Sequence, residues 1–284
     1  MEVSEIKEFL AQEKISQSTL ARSLGVSTST ISQLLAGKYA GSDIVAQNVT
    51  EYIKRYREKG GKRAVERVAI YESRDKKMAE FVIDEAVRER EFALLYGEAG
   101  TGKTTVVSEW AKRNPNALLL EATPHFSAGE VLEELCEMLS LQAPKNLNKR
   151  LKVIAHALRR SDRVLLIDEA EHLSLRALED LRRIADFARV PLILSGTEIL
   201  LRNLMGKRGE LKQLYSRLCG KWHFRGLSKK ESDECFGAGI FEYARGNFRT
   251  SSKLLSRARR LAELHKSELN KEIIKSATEM IVLA

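Results

Sequence analysis

The chain has 284 residues, and 43% of them are hydrophobic, which is enough to bury a sizeable core. A chain of this length corresponds to about two domains and is neither a disordered tail nor a small disulfide-stabilised domain. Its 48 lysines and arginines exceed its 39 acidic residues, so the formal charge is +9. This surplus favours a polyanionic partner.

The cysteines and the hydrophobic segments bear on location. Cys136, Cys219 and Cys235 are odd in number and scattered, which predicts buried thiols rather than a disulfide framework or a paired-cysteine zinc site. No segment approaches the ~18 consecutive apolar residues of a membrane span, and the first ten residues carry acids where a signal peptide carries bases. We therefore expect a cytoplasmic protein with no membrane partner.

A polar run around Gly60 and Gly61 predicts a linker. We place a small domain at residues 1–62 and a larger region after it. The positive surplus lies late in the chain, because residues 163–284 carry 23 bases against 16 acids. A further stretch, residues 145–160, has six bases and no acid.

Residues 17–35 have the spacing of a helix-turn-helix. Ala21 is small where two helices cross, and Gly25 permits a left-handed turn. The apolar seam consists of Leu20, Val26, Ile31 and Leu34. The segment resembles the repressor-type helix-turn-helix family. That resemblance places five polar residues on the outer face of the recognition helix: Ser27, Thr28, Ser29, Ser32 and Gln33.

These outward side chains can hydrogen-bond to phosphates or base edges. None is an arginine, so bidentate reading of guanine is not expected and sequence specificity should be weak. Two interpretations stay open for this domain, contact with DNA and docking onto a protein.

An apolar strand candidate, residues 92–96, runs into a G-x-x-x-x-G-K-T motif that precedes a helical stretch. In such a loop the backbone N–H groups surround the β-phosphate, Lys103 reaches the β- and γ-phosphates, and the Thr104 hydroxyl binds Mg²⁺. The predicted nucleotide-binding residues are Gly97, Glu98, Ala99, Gly100, Thr101, Gly102, Lys103, Thr104 and Thr105.

A second apolar run, residues 164–167, ends in Asp168 and Glu169. A buried parallel strand delivers such carboxylates to the edge of the sheet where ligands bind. Asp168 is predicted to hold Mg²⁺, and Glu169 to polarise the water that attacks the γ-phosphate. The pair therefore indicates hydrolysis.

The remaining pattern alternates strands with helices. Residues 117–122 and 190–195 are predicted strands, and capping boxes at Ser127 and Ser228 predict helix starts. This alternation predicts an α/β fold in which helices flank both faces of a parallel sheet.

Residues 63 to about 265 resemble the AAA+ ATPases, and the whole chain resembles the family of phage Mu transposition protein B. The resemblance implies a P-loop AAA+ core at 63–226, a helical lid at 227–284 and an all-α helix-turn-helix domain at 1–62. It also implies a polar sensor at Thr197, for which Ser195 is the other candidate, and an arginine finger at Arg217. Arg249 would be the sensing arginine of the lid, although a solvated base on a basic helix explains it equally simply.

The resemblance implies that ATP and Mg²⁺ bind between subunits, since an arginine finger acts in a neighbour's site. It further implies ATP-dependent helical oligomers, double-stranded DNA and a transposase as partners. The favoured DNA contacts are Lys145, Lys149 and Arg150, for which a solvated helix face is the open alternative. The basic stretch 253–260 is the competing DNA surface, and a contact with the transposase is the alternative for that stretch.

The resulting hypothesis is an ATPase that polymerises on DNA without sequence preference, selects and delivers target DNA and activates a transposase. Two alternatives stay open at this point. One is a helix-turn-helix ATPase switch that regulates transcription or replication loading, and the other is an ATPase adaptor whose first domain touches only protein.

Overall fold

The computed structural model of the chain describes residues 3–13, 15–39, 41, 43–58, 70–205 and 212–281. The chain divides into two compact units, Met1–Ile70 and Tyr71–Ala284. The boundary predicted between residues 62 and 63 lies outside the described residues. The further division of the large unit at residue 226 stays a prediction.

The first unit is helical. Its elements are α1 (Val3–Gln12), α2 (Gln17–Leu24), α3 (Thr28–Leu35) and α4 (Asp43–Glu58). Ser16 and Ser27 begin α2 and α3 as N-caps, and each hydroxyl accepts a hydrogen bond from the backbone N–H three residues later at 3.1 Å. Gly25 ends α2 with a φ of 67°, the left-handed conformation that the sequence predicts for the turn.

The helix-turn-helix seam is confirmed. Leu20, Ala21, Ile31 and Leu34 are buried, and Val26 packs against them. The five predicted outer residues, from Ser27 to Gln33, are all exposed. The Ser27 hydroxyl differs from the other four in capping α3, so its first role is to start the recognition helix.

The second unit is built on a five-stranded parallel sheet in the order β2-β3-β4-β1-β5. Its strands are β1 (Phe92–Gly97), β2 (Ala117–Glu121), β3 (Val164–Asp168), β4 (Leu192–Gly196) and β5 (Leu218–Phe224). The three central strands are β3, β4 and β1, so the carboxyl ends of these strands lie side by side at one edge of the sheet.

Helices cover both faces of this sheet, as the sequence predicts. One face carries α7 (Ala128–Met138), α8 (Leu147–Arg159), α9 (Leu175–Ala188) and α10 (Glu198–Met205). The other carries α5 (Arg74–Glu89) and α6 (Lys103–Arg113). The short helix α11 (Lys212–Tyr215) precedes β5.

Four helices follow the sheet and share an apolar cluster of their own. They are α12 (Lys229–Phe236), α13 (Phe241–Ala244), α14 (Phe248–Leu264) and α15 (Lys271–Thr278). The predicted capping boxes at Ser127 and Ser228 both form. Leu227 donates its backbone N–H to the carbonyl of Gly246 at 2.8 Å, which fixes the start of this helical region beside the start of α14.

One sequence expectation is wrong. The cysteines are not uniformly buried, because Cys136 is buried whereas Cys219 is exposed and Cys235 is half-buried. Cys219 lies on β5, an edge strand that pairs only with β1. An edge strand has no neighbour to cover its outer side, and composition does not reveal that position.

Candidate nucleotide site and DNA surface

The loop between β1 and α6 has the geometry of an anion cradle. Gly102 is the N-cap of α6 and supplies no side chain, so the first N–H groups of the helix are left for a ligand. Gly100 has a φ of 83°, and a Cβ there would lie 2.5 Å from the Asn247 side chain, so both backbone and space require glycine. Thr104 and Thr105 are exposed on the first turn of α6.

Lys103 lies against this loop and is 8% exposed. Its Nζ donates to the carbonyls of Gly97 and Glu98, each at 2.8 Å. Burial lowers the pKa of Lys103, and the carboxylates of Glu171, Asp168 and Glu169 oppose that shift. The ammonium group therefore lies beside the predicted phosphate loop and within electrostatic range of three carboxylates.

Asp168 ends β3 at the same sheet edge and is 3% exposed. It accepts a hydrogen bond from the Ser195 hydroxyl at 2.6 Å, across the neighbouring strand β4. Ser195, the alternative sensor candidate, is fully buried, and this bond orients Asp168. The carboxylate of Asp168 and the hydroxyl of Thr104 are hard oxygen donors of the kind that Mg²⁺ prefers, so the site fits that ion.

Glu169 follows Asp168 in a left-handed conformation, with a φ of 53°. Its side chain is 42% exposed and lies 3.7 Å from His172 Nε2. Burial raises the pKa of Glu169, and the neighbouring Glu171 and Asp168 add to the shift. A raised pKa strengthens a carboxylate as a general base, and unusual backbone conformations cluster at functional sites.

The lid contacts the phosphate loop through three consecutive residues. The Asn247 side chain donates to the carbonyl of Ala99 at 2.7 Å while its oxygen caps α14, and the Arg249 N–H donates to the carbonyl of Gly100 at 3.4 Å. Phe248 packs over Gly102. The Arg249 side chain is exposed and its charge lowers the pKa of Lys103, so it lies within electrostatic range of the loop.

A cavity of about 380 Å³ lies at the joint between β5 and the lid. Its lining includes Arg74, Trp222, Gly226 and Phe241. Asp75 closes the joint by accepting hydrogen bonds from Trp222 Nε1 at 3.1 Å and from the N–H groups of Arg225 and Gly226 at 2.8 Å. No motif in the sequence indicates a function for these residues.

Arg217 lies at the amino-terminal ends of the strands, opposite the ends that carry the phosphate loop and Asp168. Its carbonyl accepts from the N–H of Phe92, the first residue of β1, whereas the phosphate loop follows the last residue, Gly97. Five residues of strand separate the two ends by about 16 Å. The guanidinium group is 59% exposed and lies 3.7 Å from Asp186.

The residues predicted to contact DNA occupy two environments. Lys145 and Lys149 are exposed around the start of α8. Arg150 is 9% exposed, and its guanidinium group donates to the carbonyls of Pro144 and Gly129 at 3.0 and 2.9 Å. The structure therefore gives Arg150 a role in holding α8 against α7.

Comparison with known proteins places this architecture. Residues 85–205 match the AAA domain model, and residues 6–51 match a helix-turn-helix model. The chain is 30% identical over 224 residues to Mu-like prophage FluMu DNA transposition protein B of Haemophilus influenzae, covering 76% of this chain and 77% of the relative. The chain belongs to the Mu-like transposition protein B family.

A second relative is the ATP-dependent target DNA activator B of Escherichia phage Mu, which is 29% identical over 75% of this chain and 69% of its own length. Among solved structures, the ORC2 protein of Aeropyrum pernix superposes with a TM-score of 0.54 at 15% identity, covering 72% of this chain and 67% of that one. That similarity shows the fold alone.

Membership of the transposition protein B family confirms several predictions. The chain is a P-loop AAA ATPase that uses a nucleotide and carries an N-terminal helix-turn-helix domain. The roles of individual site residues stay predictions. Across the described ranges, no helix is long and apolar enough to span a membrane.

Proposed function

We propose that this protein is an ATP-dependent DNA-binding ATPase that polymerises on target DNA with little regard to sequence. In this role it selects and delivers target DNA and activates a transposase. The proposal rests mainly on the position of Arg217. Because Arg217 lies at the sheet edge opposite its own phosphate loop, it can serve as an arginine finger only in a neighbouring subunit.

Each residue of the nucleotide site has a distinct role in this proposal. The loop from Gly97 to Thr105 and Lys103 bind the phosphates, and the cavity beside Trp222 receives the adenosine. Thr104 and Asp168 would hold Mg²⁺, which would supply positive charge to the phosphates. Glu169 then polarises the attacking water. Thr197, which follows β4, and Arg249, which belongs to the lid, respond to the presence of the γ-phosphate.

Assembly explains how a modest charge surplus can hold DNA. Lys145 and Lys149 are exposed in each subunit, and a polymer repeats them along one duplex. Phosphate contacts that are weak singly add up when they are linked. The exposed hydroxyl and amide groups of α3 lack the guanidinium that reads guanine, which fits binding without sequence preference.

A transposase is the proposed protein partner. The relative from phage Mu is named as a target DNA activator, and this chain belongs to a family that is named for DNA transposition. Hydrolysis prompted by the transposase would release the DNA, because loss of the γ-phosphate removes the ligand that Arg217 neutralises.

Binding to a fluorescent duplex of random sequence tests the proposal. We expect tight binding and large assemblies with a non-hydrolysable ATP analogue, and weak binding by small species without nucleotide. The affinity should fall steeply as the salt concentration rises. Equal binding without nucleotide, by a protein that stays monomeric with the analogue, would contradict the proposal. Selection of one sharp palindromic sequence would favour a transcriptional or replication switch instead.

The double variant Lys145→Ala/Lys149→Ala should reduce the salt slope by about two per bound subunit, since each phosphate contact contributes about 0.9. The matched control is Lys77→Ala/Lys112→Ala, which removes two exposed charges from the opposite face of the sheet. The control should keep the wild-type slope. A double variant that also kept it would move the DNA contact to the exposed bases of α14.

A further inference from the structure

Glu171 follows Asp168 and Glu169 in the chain and lies in the 3-10 turn Ala170–His172. Its Oε1 accepts a hydrogen bond from the backbone N–H of Thr197 at 3.0 Å. This bond joins the turn after β3 to the residue that follows β4. Thr197 is the proposed sensor, so Glu171 holds the segment that would respond to the γ-phosphate.

The second oxygen of Glu171 is buried, and it has no hydrogen-bond partner within the described residues. It points at Gly196, where a Cβ would overlap Oε2 and would also lie 3.0 Å from Leu200. No positive φ calls for glycine at this position. Glycine is therefore needed at position 196 because a side chain there would occupy the space of the Glu171 carboxylate.

Glu171 also belongs to the charge cluster of the site. Burial lowers the pKa of Lys103. Among the carboxylates that oppose this shift, Glu171 has a larger effect than Asp168 or Glu169. A desolvated carboxylate oxygen is unfavourable unless nearby charge compensates for it, and Lys103 supplies that charge. The buried Glu171 oxygen thus has the charge of Lys103 within electrostatic range, although it has no hydrogen-bond partner within the described residues.

We infer that Glu171 is a positioning residue for ATP hydrolysis. It acts by fixing the backbone of Thr197 beside the γ-phosphate. This inference rests on the proposed function, because it concerns the chemical step. Glu171 need not touch the nucleotide. Its effect should therefore fall on kcat rather than on the binding of ADP, which lacks the γ-phosphate.

Three single variants and one double variant test the inference. Glu171→Ala should lower kcat at least about tenfold while the affinity for ADP changes less than about threefold. Glu171→Gln keeps an oxygen that can accept from Thr197 and should recover kcat to within about threefold of wild type. Gly196→Ala displaces Glu171 and should lower kcat as Glu171→Ala does. The combination of Gly196→Ala with Glu171→Ala should cost little more than either change alone.

Wild-type kcat in Glu171→Ala, equal damage in Glu171→Gln and Glu171→Ala, or fully additive losses in the double variant would each overturn the inference. Hydrogen exchange at the Thr197 amide gives a readout that does not depend on turnover. Exchange should be faster in Glu171→Ala than in wild type, and an unchanged rate would also overturn the inference. Absence of ATPase activity in the wild-type protein would instead count against the proposed function.

Discussion

Lys103→Ala should abolish ATP binding and, with it, assembly and DNA binding. Lys103 supplies charge-assisted hydrogen bonds to the phosphates, each worth about 1.5–3 kcal/mol. Losing two of them weakens binding by at least about a hundredfold. Because the γ-phosphate is the group that Arg217 neutralises across the interface, a subunit without ATP also loses its contact with the neighbouring finger. Binding of a fluorescent ATP analogue and light scattering measure the two effects.

The matched control for this change is Lys112→Ala, which removes an exposed lysine from the same helix. It should bind ATP and assemble as the wild type does. Circular dichroism of both variants shows whether the fold is kept. A folded Lys103→Ala protein that bound ATP normally would contradict the assignment of the phosphate loop.

Glu169→Gln should keep ATP binding and assembly but lower the rate of hydrolysis by about 10²–10⁴, the usual contribution of a general base. Complexes with DNA should then become long-lived in the presence of ATP. In the wild type, the rate should fall with acidity through the raised pKa of Glu169, because the protonated side chain cannot polarise water. Steady-state phosphate release and dissociation of labelled DNA measure these effects.

Glu121→Gln is the matched control. Glu121 ends β2 beside Asp168 in the sheet register and is exposed, so the change alters a carboxylate at the same edge that has no proposed role. Turnover should stay at the wild-type rate. Rapid release of DNA by Glu169→Gln in ATP would remove Glu169 from its role in hydrolysis.

Local signals in the sequence predicted most of the fold. The glycine turn between α2 and α3 and the capping boxes at Ser127 and Ser228 depend on residues within four positions of each other. Such features are readable because the chemistry that forms them is local. The phosphate loop is predictable for the same reason, since its glycines, Lys103 and its flanking elements are contiguous.

Contacts between residues that are far apart in the chain could not be predicted from the sequence. Asn247 and Ala99 are 148 residues apart, and only the folded lid brings the amide to the phosphate loop. The cap that Asn247 forms on α14 is a local bond to the N–H of Thr250, whereas its bond to Ala99 depends on the tertiary fold. Arg150 belongs to a basic run that resembles a solvated face, yet its guanidinium group is bonded to backbone carbonyls of two other segments.

Residues at the two ends of the strands also combine predictable and unpredictable features. A strand ending in Asp168 and Glu169 predicts carboxylates at the ligand edge, but the bond from Ser195 to Asp168 depends on β3 lying beside β4. Likewise, the family resemblance implies a finger at Arg217, whereas the separation of Arg217 from the phosphate loop follows from the pairing of β5 with β1. The strand order decides both points, and no local pattern encodes it.

Mixing two inactive variants tests the central claim most directly, namely that Arg217 completes a neighbour's site. Arg217→Ala keeps Glu169 but lacks the finger, and Glu169→Gln keeps the finger but lacks the base. In an equal mixture on DNA, about a quarter of the interfaces pair an intact Arg217 with an intact Glu169, and hydrolysis should recover to about that fraction of the wild-type rate. A mixture no more active than the sum of its two components would contradict the account.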